Sequence, residues 1–203
     1  MNRVICLEGQ PSLTVRPLTQ EDIPSTLNLC DACVGKNLYT YTELSSAIEA
    51  EDRFFYLFTA PNGETAGYIY FYLTSVDDLA SYAKLPRQEL LSVSHGAGPV
   101  GKIQSVGVRE DFRRYGLAGK MVDAALEVLS SLSVSTVFVV CWKPGQTVPL
   151  QRTMEECHFT HLTTAKKIWY DDPDLICPYC SGRCKCDAEV YYKSLDKGGA
   201  YEA

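Results

Sequence analysis

Leu13 and Val15 alternate with polar neighbours ahead of Arg16-Pro17-Leu18, which reads as a first strand stopped at Pro17. Thr19 then stands before Glu21 and Asp22, an N-cap followed by acids in a first helical turn. Ile23, Leu27 and Cys30 recur at helical spacing behind it. A second helix is predicted after Thr42, carried by Leu44, Ala47 and Ile48. Phe54 to Thr59 is predicted as a strand, Pro61-Asn62-Gly63 as a hairpin turn, and Ala66 to Leu73, rich in Tyr and Phe, as the returning strand. The first third of the chain therefore reads β-α-α-β-β.

The pattern weakens over residues 74 to 100. Asp78 to Lys84 has the makings of a short helix ended near Pro86, and Ser94-His95-Gly96-Ala97-Gly98-Pro99 is turn-prone. So long a connection is unusual in a compact domain. It is predicted as a surface loop with His95 solvated; a lid over a binding site is the functional alternative. An extended apolar run then ends at Val108. A turn bearing Arg113 and Arg114 follows, and Leu117, Met121, Ala124, Ala125 and Val128 give a helical stripe. Within Ser133 to Trp142, the continuous apolar run Val137 to Trp142 suits a buried strand. Lys143-Pro144-Gly145 breaks the chain, Pro149 to Cys157 is a short helix with Glu155 and Glu156 on its solvated face, and Phe159 to Tyr170 and Ala188 to Lys193 are two further strands that pair.

Composition changes this picture little. The 203 residues, 46% hydrophobic and 22% charged, suit one domain, here taken as 1–203. The net charge of −6 argues against nucleic acid as the main partner. No apolar run approaches the ~20 residues that span a bilayer, and Met1 to Glu8 has no secretory apolar core, so a cytoplasmic protein without a membrane partner is expected.

The corner from Gln104 to Lys120 carries candidate chemistry. A strand that turns through glycine and arginine into a helix exposes unpaired N–H groups and the positive end of the helix dipole. Gly116, Ala118 and Gly119 leave room for a phosphate to approach the backbone, and Arg113, Arg114 and Lys120 add charge. Locally this is a pyrophosphate cradle, although many plain corners share the pattern. The run Val106-Gly107-Val108, followed by Arg113-Arg114-Tyr115-Gly116-Leu117-Ala118, resembles the coenzyme A motif of the GNAT N-acetyltransferases. Arg113, Gly116 and Ala118 stand at its three signature positions, and the flanking order of strands and helices also resembles that family.

The resemblance implies an α+β (mixed α/β) fold, a mostly antiparallel central sheet flanked by about four helices. It also implies transfer of an acetyl group from acetyl-CoA to a primary amine of a small molecule or peptide by direct attack. The backbone N–H of Val106 would polarise the thioester and Val108 would pair with the pantetheine. The amides of Arg114, Tyr115, Gly116, Leu117, Ala118 and Gly119, with Arg113 and Lys120 beside them, would hold the pyrophosphate. The strand after the signature helix would splay from the one ending at Val108 to admit the pantetheine arm. A homodimer is left open.

The amine must lose a proton before it attacks, which calls for a base or a water chain. By strand alternation Lys102, Gln104 and Val106 share a face. Many family members carry a carboxylate at one of the first two positions; this chain carries none. Gln104 can orient a water or the acceptor. The resemblance places a general acid on the helix after the next strand, where this chain has no Tyr, and an Asn near Lys143. Tyr170, Cys141 and His161 are candidate substitutes, each with an ordinary packing role as the alternative. The other function class is therefore a GNAT-like acyl-CoA binder or sensor.

Nine cysteines are many for a reducing compartment, and an odd count argues against a disulfide framework. Cys30 and Cys33, inside a helical pattern, read as small core residues. Cys177, Cys180, Cys184 and Cys186 form C-x2-C-x3-C-x-C, a set able to close a tetrahedral Zn²⁺ site on a hairpin spanning about 171–187. If extended, Cys184 and Cys186 face one side. Unmetallated thiols, a redox pair and an iron–sulfur cluster are the alternatives.

Overall fold

The computed structural model describes residues 3–7, 9, 11–94 and 98–195; the predicted solvated His95 lies outside them. Among the described residues ten strands run in chain order: β1 (Arg3–Ile5), β2 (Leu13–Pro17), β3 (Arg53–Thr59), β4 (Thr65–Thr74), β5 (Val100–Val108), β6 (Thr136–Lys143), β7 (Thr160–Ala165), β8 (Ile176–Cys177), β9 (Gly182–Arg183) and β10 (Asp187–Ser194). The described α-helices are α1 (Ile23–Cys33), α2 (Tyr41–Glu49), α3 (Val76–Ala83), α4 (Arg87–Leu91), α5 (Leu117–Ser131) and α6 (Gln151–Glu156). Eight strands form one sheet in the order β1-β2-β3-β4-β5-β6-β10-β7, antiparallel except for β5 beside β6; β8 and β9 make a separate small hairpin. This is the expected mixed α+β fold, with six described α-helices where about four were anticipated. None of them is long and apolar enough to cross a membrane.

The helix starts follow from local chemistry. Thr19 and Asp22 form a reciprocal capping box around a single 3₁₀ turn, and Asp22 is held by Arg16 at 2.5 and 2.7 Å. The guanidinium of Arg16 holds the Asp22 carboxyl down at about 2. The second helix begins two residues before the predicted start, because Thr40 and Glu43 make a second capping box: the Thr40 N–H donates to Glu43 Oε2 at 2.7 Å and the Glu43 N–H to Thr40 Oγ1 at 3.2 Å. The short β1 was missing from the sequence reading; three residues give no periodicity.

Strand alternation divides the core between the two faces of the sheet. Phe58, Ile69, Phe71, Ile103, Val137 and Val139 face α5, where Leu117, Met121, Ala125 and Leu129 cover them. Phe55, Leu57, Tyr68 and Tyr70 face α1 and α2, with Phe55 stacked between the two tyrosines at 5.2 and 5.3 Å. Beside them on that second face, Phe138, Val140, Ala188 and Val190 are covered by Leu79, Ala80 and Leu90.

Those last three residues belong to the segment predicted as a surface loop, and that expectation is corrected. Ser75 caps α3 by accepting the Asp78 N–H at 3.0 Å, and Leu79, Ala80, Ala83 and Leu90 are buried. Burying a leucine there contributes roughly 2 kcal/mol, enough to hold two short helices against the sheet that neither would form alone in water. The last strand is also placed differently. β10 pairs with β7 as predicted, but it inserts between β7 and β6, register Glu189 with Cys141 and Glu189 with Thr164.

Candidate active site and cysteine cluster

β5 and β6 pair only at Gly101 with Val137, Lys102 with Phe138 and Ile103 with Val139. Beyond Ile103 they part, and an open-mouthed, mostly apolar cleft lies in the gap. The walls are Gln104, Ser105 and Val106 from β5, Val139 to Trp142 from β6, Cys33 to Gly35 from the end of α1, and Tyr82 from α3. From Gln104 onward the β6-facing edge of β5 has no strand partner, so its backbone groups face the cleft.

A bulge decides which side chains enter it. On β4, Tyr70 pairs with Ser105 while the next residue, Phe71, pairs with Ile103, so Gln104 is extra. The predicted common face of Lys102, Gln104 and Val106 is thereby corrected. Lys102 and Gln104 do share a face, but Val106 turns to the α5 side with Ile103 and Val108. Ser105 instead joins the α1–α2 side, its Oγ 2.6 Å from the Tyr39 hydroxyl. Alternation cannot reveal an inserted residue, because the shift shows only in the pairing.

At the far end of β5 the chain passes through a 3₁₀ turn, Glu110–Phe112, into two left-handed residues, Arg114 at φ 70° and Gly116 at φ 76°. Gly116 takes that conformation at no steric cost. The first helical bond of α5 runs from the Lys120 N–H to the Gly116 carbonyl at 3.2 Å. The N–H groups of Leu117, Ala118 and Gly119 precede the ladder and point out of the first turn. A Cβ built on Gly116 or Gly119 meets nothing within 4 Å, so open space lies over this turn. Tyr115, Arg114 and Lys120 are exposed around it. Arg113 behaves differently: its Nε donates to the Val108 carbonyl at 2.9 Å. Burial raises the Cys33 thiol and Arg113 beside it partly offsets that rise. Arg113 thus ties strand to turn, leaving Arg114 and Lys120 as the free cations among the residues chosen for the pyrophosphate.

The substitutes for a general acid fare less well. Tyr170 is not on a strand, because β7 ends at Ala165 and Lys167 turns left-handed at φ 49°. It is not among the residues that line the cleft, and its ring lies under Arg183 at 4.4 Å. His161 is bound to Glu189, Nε2 to Oε2 2.6 Å, and Lys143 ion-pairs with the same carboxylate. Burial pushes Glu189 up, but Lys143, His161 and Thr164 together hold it below its ordinary value. His161 and Lys143 do not line the cleft. Cys141 does, yet burial and the nearby Glu189 push its thiol to about 12, which leaves it an inert core group.

Residues that the sequence reading passed over fill the place instead. Tyr39, Tyr72 and Tyr82 converge with Gln104 on a second, more polar recess, which shares Gln104 and Tyr82 with the cleft as wall residues. Lys102 lies behind them, 1% exposed. A lysine at an inward-facing strand position was the one available signal.

The four cysteines gather beside the cleft. The Sγ of Cys186 lies 3.9 Å from that of Cys177 and 3.6 Å from that of Cys180. A tetrahedron with metal–sulfur bonds of about 2.3 Å has edges of about 3.8 Å. Cys184 is buried in the same cluster beside Cys177, outside the set of three thiols that lie mutually within 4.8 Å. The Cys180 N–H points to Cys177 Sγ at 3.5 Å and the Lys185 N–H to Cys180 Sγ at 3.4 Å, donors suited to thiolates. All nine cysteines are free thiols. The C-x-C segment Cys184 to Cys186 belongs to no strand. The hairpin is tied to the loop after α1: the Ile176 N–H donates to the Lys36 carbonyl at 3.1 Å, and Asn37 Nδ2 to the Asp174 carbonyl at 3.1 Å. Cys177 and Cys184 themselves line the cleft.

A splayed parallel pair, a bulged strand and a glycine-opened helix define an acyl-CoA N-acyltransferase type of fold, and solved structures agree. NAA60 of Arabidopsis thaliana in complex with acetyl-CoA superposes with a TM-score of 0.68 at 13% identity, over 90% of this chain and 98% of that one. Naa20 of Chaetomium thermophilum with a bisubstrate analogue gives 0.67 at 16%, over 93% and 90%. The ribosomal-protein-S18-alanine N-acetyltransferase of Escherichia coli gives 0.62 at 14%, over 94% and 99%. At such identities the likeness is one of fold. No curated protein matches in sequence. The model of the acetyltransferase (GNAT) family matches residues 23–159, two thirds of the chain, and the protein belongs to that family.

Proposed function

We propose that this acetyltransferase moves an acetyl group from acetyl-CoA to a primary amine of a peptide or small molecule by direct attack. The observation that carries the reading is the parting of β5 and β6 after Ile103, which opens a cleft along Gln104 to Val106, on the strand that leads into the α5 turn. In that reading the Val106 N–H receives the charge that develops on the thioester oxygen, and the Val108 backbone pairs with the pantetheine amide. The amides from Arg114 to Gly119, with Arg114 and Lys120, hold the pyrophosphate. Gln104 faces the acceptor. The fold shared with an enzyme that acetylates an alanine amine of a ribosomal protein supports a peptide acceptor; the second recess, lined by Tyr39, Glu43 and Tyr72, gives it room.

We further propose that Cys177, Cys180, Cys184 and Cys186 hold a structural Zn²⁺. The thiol spacing and the N–H groups aimed at sulfur support this, and four thiolates leave no open position for chemistry. The free thiols support a reducing, cytoplasmic setting.

Release of CoA thiol from acetyl-CoA, followed with a panel of polyamines, amino acids and peptides, tests the reaction. Turnover with at least one amine is expected. Tight CoA binding without turnover on any acceptor would replace this reading by that of an acyl-CoA binder. Metal analysis of the purified protein should return one zinc per chain; four titratable thiols and less than one zinc would remove the metal.

A further inference from the structure

Several cations among the described residues face a carboxylate: Arg16 faces Asp22, Lys143 faces Glu189, Lys84 faces Asp171 and Lys166 faces Asp187. Lys102 does not. Among the described residues no carboxylate lies within ion-pair distance of it, and its two hydrogen-bond partners are neutral oxygens, Tyr72 Oη at 2.9 Å and Gln104 Oε1 at 2.6 Å. Its Nζ stands 3.0 Å from the centroid of the Tyr82 ring and 5.3 Å from that of Tyr72. Phe138 lies directly opposite on β6.

Among the described residues the wider surroundings hold two carboxylates, neither paired with Lys102: Glu43, which lines the recess and is bound by the Thr40 N–H at 2.7 Å, and Asp78 on α3. From β4 come Tyr72 and then Tyr70, whose hydroxyl accepts from Arg53 at 2.9 Å. From α3 comes Tyr82, whose hydroxyl accepts the indole N–H of Trp169 at 3.2 Å. Asp78, also on α3, is exposed and bound by Ser75 at 2.7 Å. Burial accordingly drives Lys102 well below the ordinary lysine value, toward a neutral amine. Burial first, and the neighbouring Tyr82 and Tyr70 after it, hold the Tyr72 phenol well above its ordinary value, so Tyr72 stays protonated.

Tyr72 lines the recess that opens beside Gln104, whereas Lys102 sits behind it. The hydroxyl therefore bridges the space where an acceptor would lie and the buried amine.

We propose that Lys102 receives the proton that the acceptor ammonium must lose, relayed through the Tyr72 hydroxyl, and so stands in for the carboxylate absent from β5. This rests on the acetyltransferase reading above. In the step, an ammonium N–H donates to Tyr72 Oη and its proton passes to that oxygen. The Tyr72 hydroxyl, which in the structure donates weakly to Gln104 Oε1 at 3.4 Å, turns to the lone pair of the neutral Lys102 amine, and its proton passes to Nζ. Tyr72 ends unchanged, and Lys102 becomes an ammonium held by the Gln104 carbonyl and the face of Tyr82. The freed amine attacks the thioester carbonyl; the C–N bond forms, the C–S bond breaks, and the sulfur takes the proton the nitrogen still carries. Lys102 then returns its proton through Tyr72 to solvent. Gln104, which both accepts from Lys102 and faces the cleft, positions the relay.

The test uses the full chain, acetyl-CoA, and two amines of similar shape but different basicity, ethylamine and trifluoroethylamine. Lys102→Met keeps the buried stem without the base. It should slow acetylation of ethylamine at neutral pH by about 100-fold, and that of the already neutral trifluoroethylamine by less than about 3-fold. The acidic limb of the ethylamine pH profile should move up. Tyr72→Phe, which keeps the ring and breaks the relay, should show the same selectivity, with CoA affinity unchanged in both variants. A ¹³C NMR titration of lysine-labelled protein should show the Lys102 amine neutral near pH 7. Equal losses with the two amines, or a Lys102 ammonium at that pH, would overturn the inference and leave the acetyltransferase standing. Wild-type protein that binds CoA but acetylates neither these amines nor any in the panel would overturn both.

Discussion

The two ends of the cleft are built on opposite plans. In the proposed reading the CoA end is one contiguous stretch, Val106 to Lys120, and what it offers is backbone: N–H groups ahead of the α5 ladder and a turn with open space over Gly116 and Gly119. The proposed acceptor end is made of side chains from separate elements: Tyr72 from β4, Tyr82 from α3, Lys102 and Gln104 from β5, and two cysteines from the hairpin region. A backbone site tolerates varied side chains as long as the turn forms. A side-chain site depends on each element arriving in register. One consequence is that a change at the first end should abolish cofactor binding without touching the acceptor, and a change at the second should do the reverse.

The largest effect is expected at Gly119. Its Cβ position is free of neighbours, so Gly119→Glu needs no repacking, yet it puts a carboxylate where the pyrophosphate would lie. Affinity for CoA should fall by more than about 100-fold, roughly 2.7 kcal/mol, with an unchanged thermal midpoint. Calorimetric titration with CoA measures it; a fall under threefold would move the phosphate site away from α5.

The acceptor end breaks through the cysteines. Cys180→Ser, or removal of metal by a chelator, loosens the hairpin that pins the loop after α1 at Lys36. The KM for the acceptor should rise about 10-fold, near 1.4 kcal/mol, while the dissociation constant of CoA stays put. A rise in both would show that the two ends are not independent.

The third effect is on stability and concerns Lys102 alone. In the unfolded chain this lysine binds a proton below about pH 10.4. In the folded chain burial holds its value well below that, so between the two the unfolded state carries the extra proton. Stability contributed by this group therefore rises with pH through that window, by at most about 1.4 kcal/mol per pH unit, and is lost as pH falls through the folded value. Urea midpoints between neutral pH and pH ~10 should climb in the wild type. The slope should flatten in Lys102→Met; parallel slopes would show a lysine charged in its site.

The same contrast explains what could be read early. The Gly116 turn and the stripe Leu117, Met121, Ala125 were legible because corner and helix are local patterns of four to seven residues. The capping box at Thr40 and Glu43 was just as local and was passed over in favour of Thr42. Helix α3 was legible as the short helix at Asp78 to Lys84, but its burial, and α4 altogether, were obscured because Leu79, Ala80 and Leu90 gain a partner only once Phe138 and Val190 lie beneath them. Tyr170 was misplaced because nothing in its neighbourhood announces that Lys167 turns left-handed.

By itself the sequence determined the order of elements, the corner that exposes the α5 amides and the set of four thiols, since each rests on spacing along the chain. Tertiary structure alone decided the bulge at Gln104, which turns Val106 from Lys102's face, and the arrival of Tyr72 and Tyr82 around a lysine without a carboxylate. The reason is physical: alternation and helical period are properties of a single segment, whereas pairing register and desolvation are properties of what packs against it.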